Sequence, residues 1–165
     1  MKSIIIGCGL LLPSFFAYAQ TNSNFPGDTN PKDSIIKVSY IDPFERAAAD
    51  EKADPQWPVL KDQISAKYDT STAGRLTTLA KVYYYFNKQD YPHFTAALVE
   101  FTNKYVGTAE LERMSRNAYW ILTLSTSRNE LEAALAWAKH VLDKDPGNEG
   151  NKNTYDALTA KLANN

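Results

Sequence analysis

The sequence predicts an all-α protein built from antiparallel helical hairpins. Three observations carry that expectation. From Asp42 onward apolar residues recur at helical spacing, not in strand-like alternation. Short turns rich in Asp, Asn, Pro and Gly interrupt them at regular intervals. Only Ser34–Tyr40, SIIKVSY, has the β-branched character of a strand, and no second stretch offers it a partner, so it is expected to be an extended lead-in.

The elements follow in chain order. Asp42-Pro43 is an N-cap and first-turn pair opening FERAAADEKA. Asp54-Pro55 and Pro58 permit a second start, with Leu60, Ile64 and Tyr68 on one face. A helix over about 70–88 places Leu76, Leu79, Ala80, Tyr83 and Phe86 at helical spacing. After Asp90 and Pro92, the residues Phe94, Ala97, Leu98, Phe101 and Tyr105 form an uninterrupted apolar stripe. Gly107 is the expected stop and Thr108 the next cap, before Leu111, Met114, Ala118, Ile121 and Leu122. Ser127-Arg128-Asn129-Glu130 has the spacing of a capping box and opens a helix with Leu131, Ala134, Leu135, Ala138, Val141 and Leu142. Asp145-Pro146-Gly147-Asn148 ends it, and Tyr155, Leu158 and Leu162 line the last helix.

Residues 1–19 read as a signal peptide. Lys2 supplies the positive start, Ile4 to Phe16 the apolar core, and Ala17-Tyr18-Ala19 a small-x-small cleavage site. That run is short for a membrane span, and charged residues interrupt everything after it, so no transmembrane segment is expected in the mature chain. Residues 20–41 are expected to be a polar linker plus the extended lead-in, and residues 42–165 the helical domain. The expected destination is the periplasm or the medium.

Cys8 bears on that reading. Ile5-Ile6-Gly7-Cys8 resembles a bacterial lipobox, but cleavage there would leave almost no apolar core before it. Cleavage after Ala19 is expected instead, without lipidation. Cys8 is the only cysteine, so the processed chain would carry none. Disulfides, CxxC redox chemistry, thiolate metal sites and cysteine nucleophiles are thereby excluded from a processed chain.

Composition excludes further classes. A formal net charge of −1 with scattered basic residues gives no electrostatic footprint for nucleic acid. The two histidines, His93 and His140, fall on different helices, and neither HExxH, GxSxG nor a glycine-rich phosphate loop occurs. Asp143, Asp145, Gly147, Asn148, Glu149 and Asn151 form an oxygen-rich loop, but Pro146 and the lack of a closing glutamate break the calcium-loop spacing. Asp50 and Glu51 read as part of a solvated helix face. No catalytic residue, cofactor or metal is therefore expected.

Two stretches share one grammar, a helix, a polar turn and a partner helix. Their turns, at Asp90 and at Arg128–Glu130, lie about forty residues apart, within the range of helical-hairpin repeats. Leu79, Ala80 and Tyr83 resemble the first helix of a tetratricopeptide repeat. Ala134, Leu142 and Asp145-Pro146-x-Asn148 resemble the second helix and terminal turn of another. Phe94 stands where that family usually has a small residue, and Asn129 where it has glycine. The resemblance covers residues 76–162 and implies a tetratricopeptide-like array or, with so few hairpins, a compact bundle. More loosely, Trp57, Leu60 and Lys67-Tyr68 with the following hairpins are similar to helical extensions of exported thioredoxin-like proteins, here without the CxxC.

The resemblance implies a concave surface lined by first helices. With Tyr83 and Phe86 assigned to the core stripe, Lys81, Tyr84, Tyr85, Arg116 and Tyr119 become the candidate partner-binding groove. The expected function is protein or peptide binding without catalysis. The alternatives are an accessory to an exported thioredoxin-like redox system and, ranked below it, an all-helical hydrolase or lyase.

Overall fold

The computed structural model describes residues 31–51 and 54–164, so the expected signal peptide and most of the expected linker lie outside the described residues. The chain divides into two units, Met1–Ile35 and Ile36–Asn165. In the first, residues 31–35 are helical. All else described here belongs to the second.

Every described element is helical. In order they are α1 (Pro31–Ile36), a π-helical turn (Lys37–Ile41), α2 (Asp42–Glu51), α3 (Trp57–Ser65), α4 (Thr70–Asn87), α5 (Tyr91–Tyr105), α6 (Leu111–Leu124), α7 (Arg128–Lys144) and α8 (Glu149–Ala163). Helices α4 and α5, α6 and α7, and α7 and α8 pack as successive hairpin pairs, while α3 and the π turn lie against α4. Helix α5 also touches α6 and α7, and α8 returns against α6. The all-α hairpin expectation is met.

The largest departure from it is at residues 34–41. The expected extended lead-in is helical and runs through the π turn into α2. Asp42 therefore does not cap a new helix: its backbone is helical (φ −61°, ψ −41°) and its N–H donates to the Lys37 carbonyl five residues back. Packing explains the wider turn. Ile36 and Ile41 are 0% and 6% exposed, yet residues five apart point about 140° away from each other on an α-helix. One π turn brings both isoleucines towards the same side, and that burial outweighs the local β preference of the segment.

Elsewhere the caps follow local chemistry. Asp69 opens α4 by accepting from the Thr72 N–H (2.7 Å) and the Thr72 hydroxyl (2.7 Å). Asp90 opens α5 through the His93 N–H (3.3 Å), and Asn148 opens α8 through the Asn151 N–H (3.2 Å). Two expected caps are displaced. Ser127 makes no side-chain cap bond; Ser125 instead donates to Glu130 (2.5 Å) and accepts the Ser127 N–H (3.0 Å). At α6 the first residue outside the helix is Glu110, not Thr108, and the Glu110 carboxylate receives the Gly107 N–H (2.8 Å).

Between α4 and α5 the chain closes with Gln89 at φ 57°, in the left-handed region. Its N–H bonds the Phe86 carbonyl (3.0 Å), and the Asp90 N–H bonds that of Tyr85 (2.9 Å). This is the Schellman pattern, built on glutamine where glycine is usual.

The core runs through all hairpins. Leu60, Ile64, Ala73, Ala118, Ile121, Leu131, Ala134 and Leu158 are fully buried. Gly74 permits close approach of α4 and α5, since a Cβ there would sit 2.8 Å from the Tyr105 hydroxyl. Long-range polar bonds tie the later helices. Asn117 Nδ2 donates to Thr102 Oγ1 (2.8 Å), Trp137 Nε1 to Asn103 (2.9 Å) and Ser115 Oγ to Asn151 (2.7 Å). Lys161 Nζ donates to the carbonyls of Leu122 (2.7 Å) and Ser125 (2.8 Å), which neutralises the carbonyl end of α6.

Candidate functional site

Helix α4 holds most of the residues the sequence singled out, and it is enclosed on most of its circumference. Ala73, Leu76, Ala80, Val82, Tyr84 and Tyr85 are all buried. Tyr84 and Tyr85 are thus core residues and not groove residues. Their rings meet edge-on at 5.4 Å, and both pack on Trp57 of α3, at 5.4 and 6.1 Å. Trp57 Nε1 donates to the Tyr85 hydroxyl (3.1 Å), satisfying the indole inside the cluster. Phe44 of α2 closes the other side of Trp57 at 6.2 Å.

Of the pair assigned to the core, Phe86 packs against its edge, on Phe94 and Trp120, and Tyr83 is only partly covered. Tyr83 and Phe86 are half-buried and share a face with Thr72, Arg75 and Leu79, at i, i+3, i+7, i+11 and i+14. Lys81 lies across the helix from this stripe, 3.8 Å from Glu100 of α5. The two α6 residues fare differently from those of α4. Tyr119 is 51% exposed and Arg116 half-buried, one turn apart.

Of the five expected groove residues, only Arg116 and Tyr119 belong to one exposed face. Phe86 meets Trp120, the neighbour of Tyr119, edge-on at 5.5 Å, and Phe94 completes that aromatic triad. That ring contact links α4 to α6, with the exposed Tyr119 next to Trp120 in the chain. The stripe on α4 was visible in the sequence, but its apolar spacing pointed to the interior.

The histidines do not converge. His93 Nδ1 lies 2.8 Å from Asp90, with its ring stacked on Tyr85 at 4.9 Å. His140 Nε2 donates to the Thr108 carbonyl (2.9 Å), tying α7 to the loop before α6. In the oxygen-rich loop, Asn148 is a cap and Asp143 pairs with Lys139 (2.7 Å). Among the described residues no three His, Cys, Asp or Glu side chains gather as metal ligands. No described helix is long and apolar enough to cross a membrane.

A second surface feature had no sequence expectation. An open cleft of about 590 Å³ separates the π turn and α2 from the C-terminal end of α4, lined by Lys37, Asp42, Glu45, Arg46, Tyr84 and Lys88. Lys37 and Asp42 pair at 2.6 Å. Arg46 Nε donates to the Asp42 carbonyl (3.2 Å), and the Lys88 ammonium lies 4.5 Å from the centre of the Tyr84 ring. Burial raises the Glu45 carboxyl to about 7; Lys37 opposes the shift and Asp42 adds to it. The Lys88 ammonium is itself raised above its ordinary value, chiefly by its bond to Tyr84. Lys37 of the π turn and Asp42, Glu45 and Arg46 of α2 meet residues from the C-terminal end of α4 across this cleft.

No protein-family model, curated protein or solved structure matches this chain.

Proposed function

We propose that the chain is an exported protein-binding module of tetratricopeptide-like helical hairpins, acting without catalysis, and that it docks a polypeptide on the face where α4 adjoins α6. The observation that carries this reading is the ring contact between Phe86 and Trp120 at 5.5 Å beside the exposed Tyr119. It joins α4 to α6 through large aromatic rings, a residue type enriched at protein interfaces. Tyrosine and tryptophan offer wide contact area with few torsions to freeze.

A photo-crosslinker in place of Tyr119 tests the docking face, with one at Lys139 on the outer side of α7 as control. The expected result is one defined polypeptide trapped at 119 and not at 139, and lost when Arg116→Glu is added. Equal trapping at both positions, or none at 119, overturns the assignment. Export has its own test. The chain recovered from cells is expected to begin at Gln20; one beginning at Cys8 or retaining Met1 refutes cleavage after Ala19.

A further inference from the structure

The cleft beside Glu45 is separate from the α4–α6 face and does not depend on the docking assignment. At about 590 Å³ it falls in the size range of small-ligand sites. Its walls bring three cations, Lys37, Arg46 and Lys88, against two carboxyls, Asp42 and Glu45. Lys37 and Asp42 satisfy each other at 2.6 Å. Among the described residues the Arg46 guanidinium uses only Nε, on a backbone carbonyl, so its two terminal nitrogens retain their donors. The Lys88 ammonium stands over the Tyr84 ring. Glu45, partly withdrawn from water, makes no hydrogen bond or ion pair with any described residue.

We infer that this cleft is a carboxylate-binding site in which Arg46 and Lys88 are the cationic pair and the Glu45 carboxyl is the facing polar group. A guanidinium offers two parallel N–H donors that match the two oxygens of a carboxylate. With Glu45 protonated the lining carries two excess positive charges; once it ionises, three positive groups against two negative ones leave a single positive charge, which a monoanion still balances. A phosphate dianion would meet Asp42 and Glu45 with its excess charge. Glu45 assists in its protonated form, as a donor to the bound oxygen. As pH rises through about 7 that form is lost, and the new negative charge opposes the ligand. The groups facing Glu45 are Lys37 from the π turn, Asp42 and Arg46 from α2, and Tyr84 and Lys88 from α4. The pH effect is assigned to Glu45, whose carboxyl burial raises into this range.

The carboxylate could belong to a small organic acid or to the C-terminus of a polypeptide, and the test separates them. The full chain is titrated by amide NMR with butyrate, with a short peptide bearing a free C-terminal carboxylate, with the same peptide amidated, and with inorganic phosphate. Saturable shifts are expected at Glu45, Arg46, Tyr84 and Lys88 with the carboxylates and not with the amidated peptide. A free peptide about tenfold tighter than butyrate assigns the site to polypeptide termini, and equal affinity assigns it to small acids. The double variant Arg46→Gln, Lys88→Gln should lose about tenfold in affinity while its other amide resonances stay in place. Glu45→Gln should still bind, with the weakening above about pH 7 abolished. Shifts that never saturate, unchanged affinity in the double variant, or tighter binding of phosphate overturns the inference.

Discussion

The two ends of this fold are held by different means. The N-terminal segment, comprising the π turn, α2 and α3, meets α4 mainly through aromatic rings, with one buried polar bond, from Trp57 Nε1 to the Tyr85 hydroxyl. Trp57, Tyr84, Tyr85 and Phe44 form one cluster, and Tyr40 packs edge-on against Tyr68 at 6.2 Å. The C-terminal hairpins place between their helices small polar bonds that pair one residue with one partner: Asn117 with Thr102, Trp137 with Asn103, Ser115 with Asn151. Ring packing stabilises through area and tolerates sliding, whereas a buried polar pair is satisfied in a single register. Three such pairs lock the hairpins in phase, whereas a single one, Trp57 with Tyr85, accompanies the ring packing by which the N-terminal segment is adhered. That difference leaves room at the N-terminal end for the charged cleft.

Trp57→Ala should cause the largest loss. Removing the ring opens a cavity and strips the Tyr85 hydroxyl of its donor, so a loss of about 3–5 kcal/mol is expected in chemical denaturation. If the N-terminal segment is adhered as argued, amide exchange in α2 and α3 should accelerate more than in α7 and α8. Uniform acceleration would erase the distinction.

Asn117→Ala probes the other side of the comparison. It leaves the buried Thr102 hydroxyl without its donor and should cost about 1–3 kcal/mol, with the register of α5 against α6 loosened. Asn117→Ala paired with Thr102→Val should recover part of that loss, and a cycle with no coupling would show the bond to be incidental.

The next effect is one of pH. The folded Glu45 carboxyl stands above its unfolded value, so the folded chain holds this proton where the unfolded chain has released it. Glu45 thus lowers stability as pH rises from about the ordinary carboxylate range to about 7, with the full penalty present above that. Glu45→Gln should flatten this part of the curve and be the more stable form on the alkaline side. A curve that falls across this interval by the same amount in both proteins would remove Glu45 as its cause.

Smallest is a gain. Gln89 occupies a left-handed conformation that glycine adopts without strain, so Gln89→Gly should stabilise by about 0.5–1 kcal/mol, read as a raised melting temperature. A loss there would mean that the glutamine side chain contributes more than its backbone costs.

The sequence by itself determined the helical class, the turns near Asp90, Gly107, Ser127 and Asp145, and the inward face of α5, where Phe94, Ala97, Leu98 and Phe101 are buried as their spacing requires. One apolar stripe among polar residues has only one way to face a core. Helix α4 differs because polar and apolar residues mix around its circumference, with Thr77 and Thr78 buried among the apolar ones, so its periodicity does not state which side faces water. Only the packing of α3 and α5 around it decided that Tyr84 and Tyr85 go inside while Tyr83 and Phe86 stay near the surface. The same holds at residues 34–41, where β-branched composition favours extension and tertiary burial of Ile36 and Ile41 selects a helix with a π turn. That Arg116 and Tyr119 lie off the core was legible because α6 has a narrow buried stripe of Met114, Asn117, Ala118 and Ile121. The cleft was not, because its charges come from segments about forty residues apart that only the tertiary structure brings together.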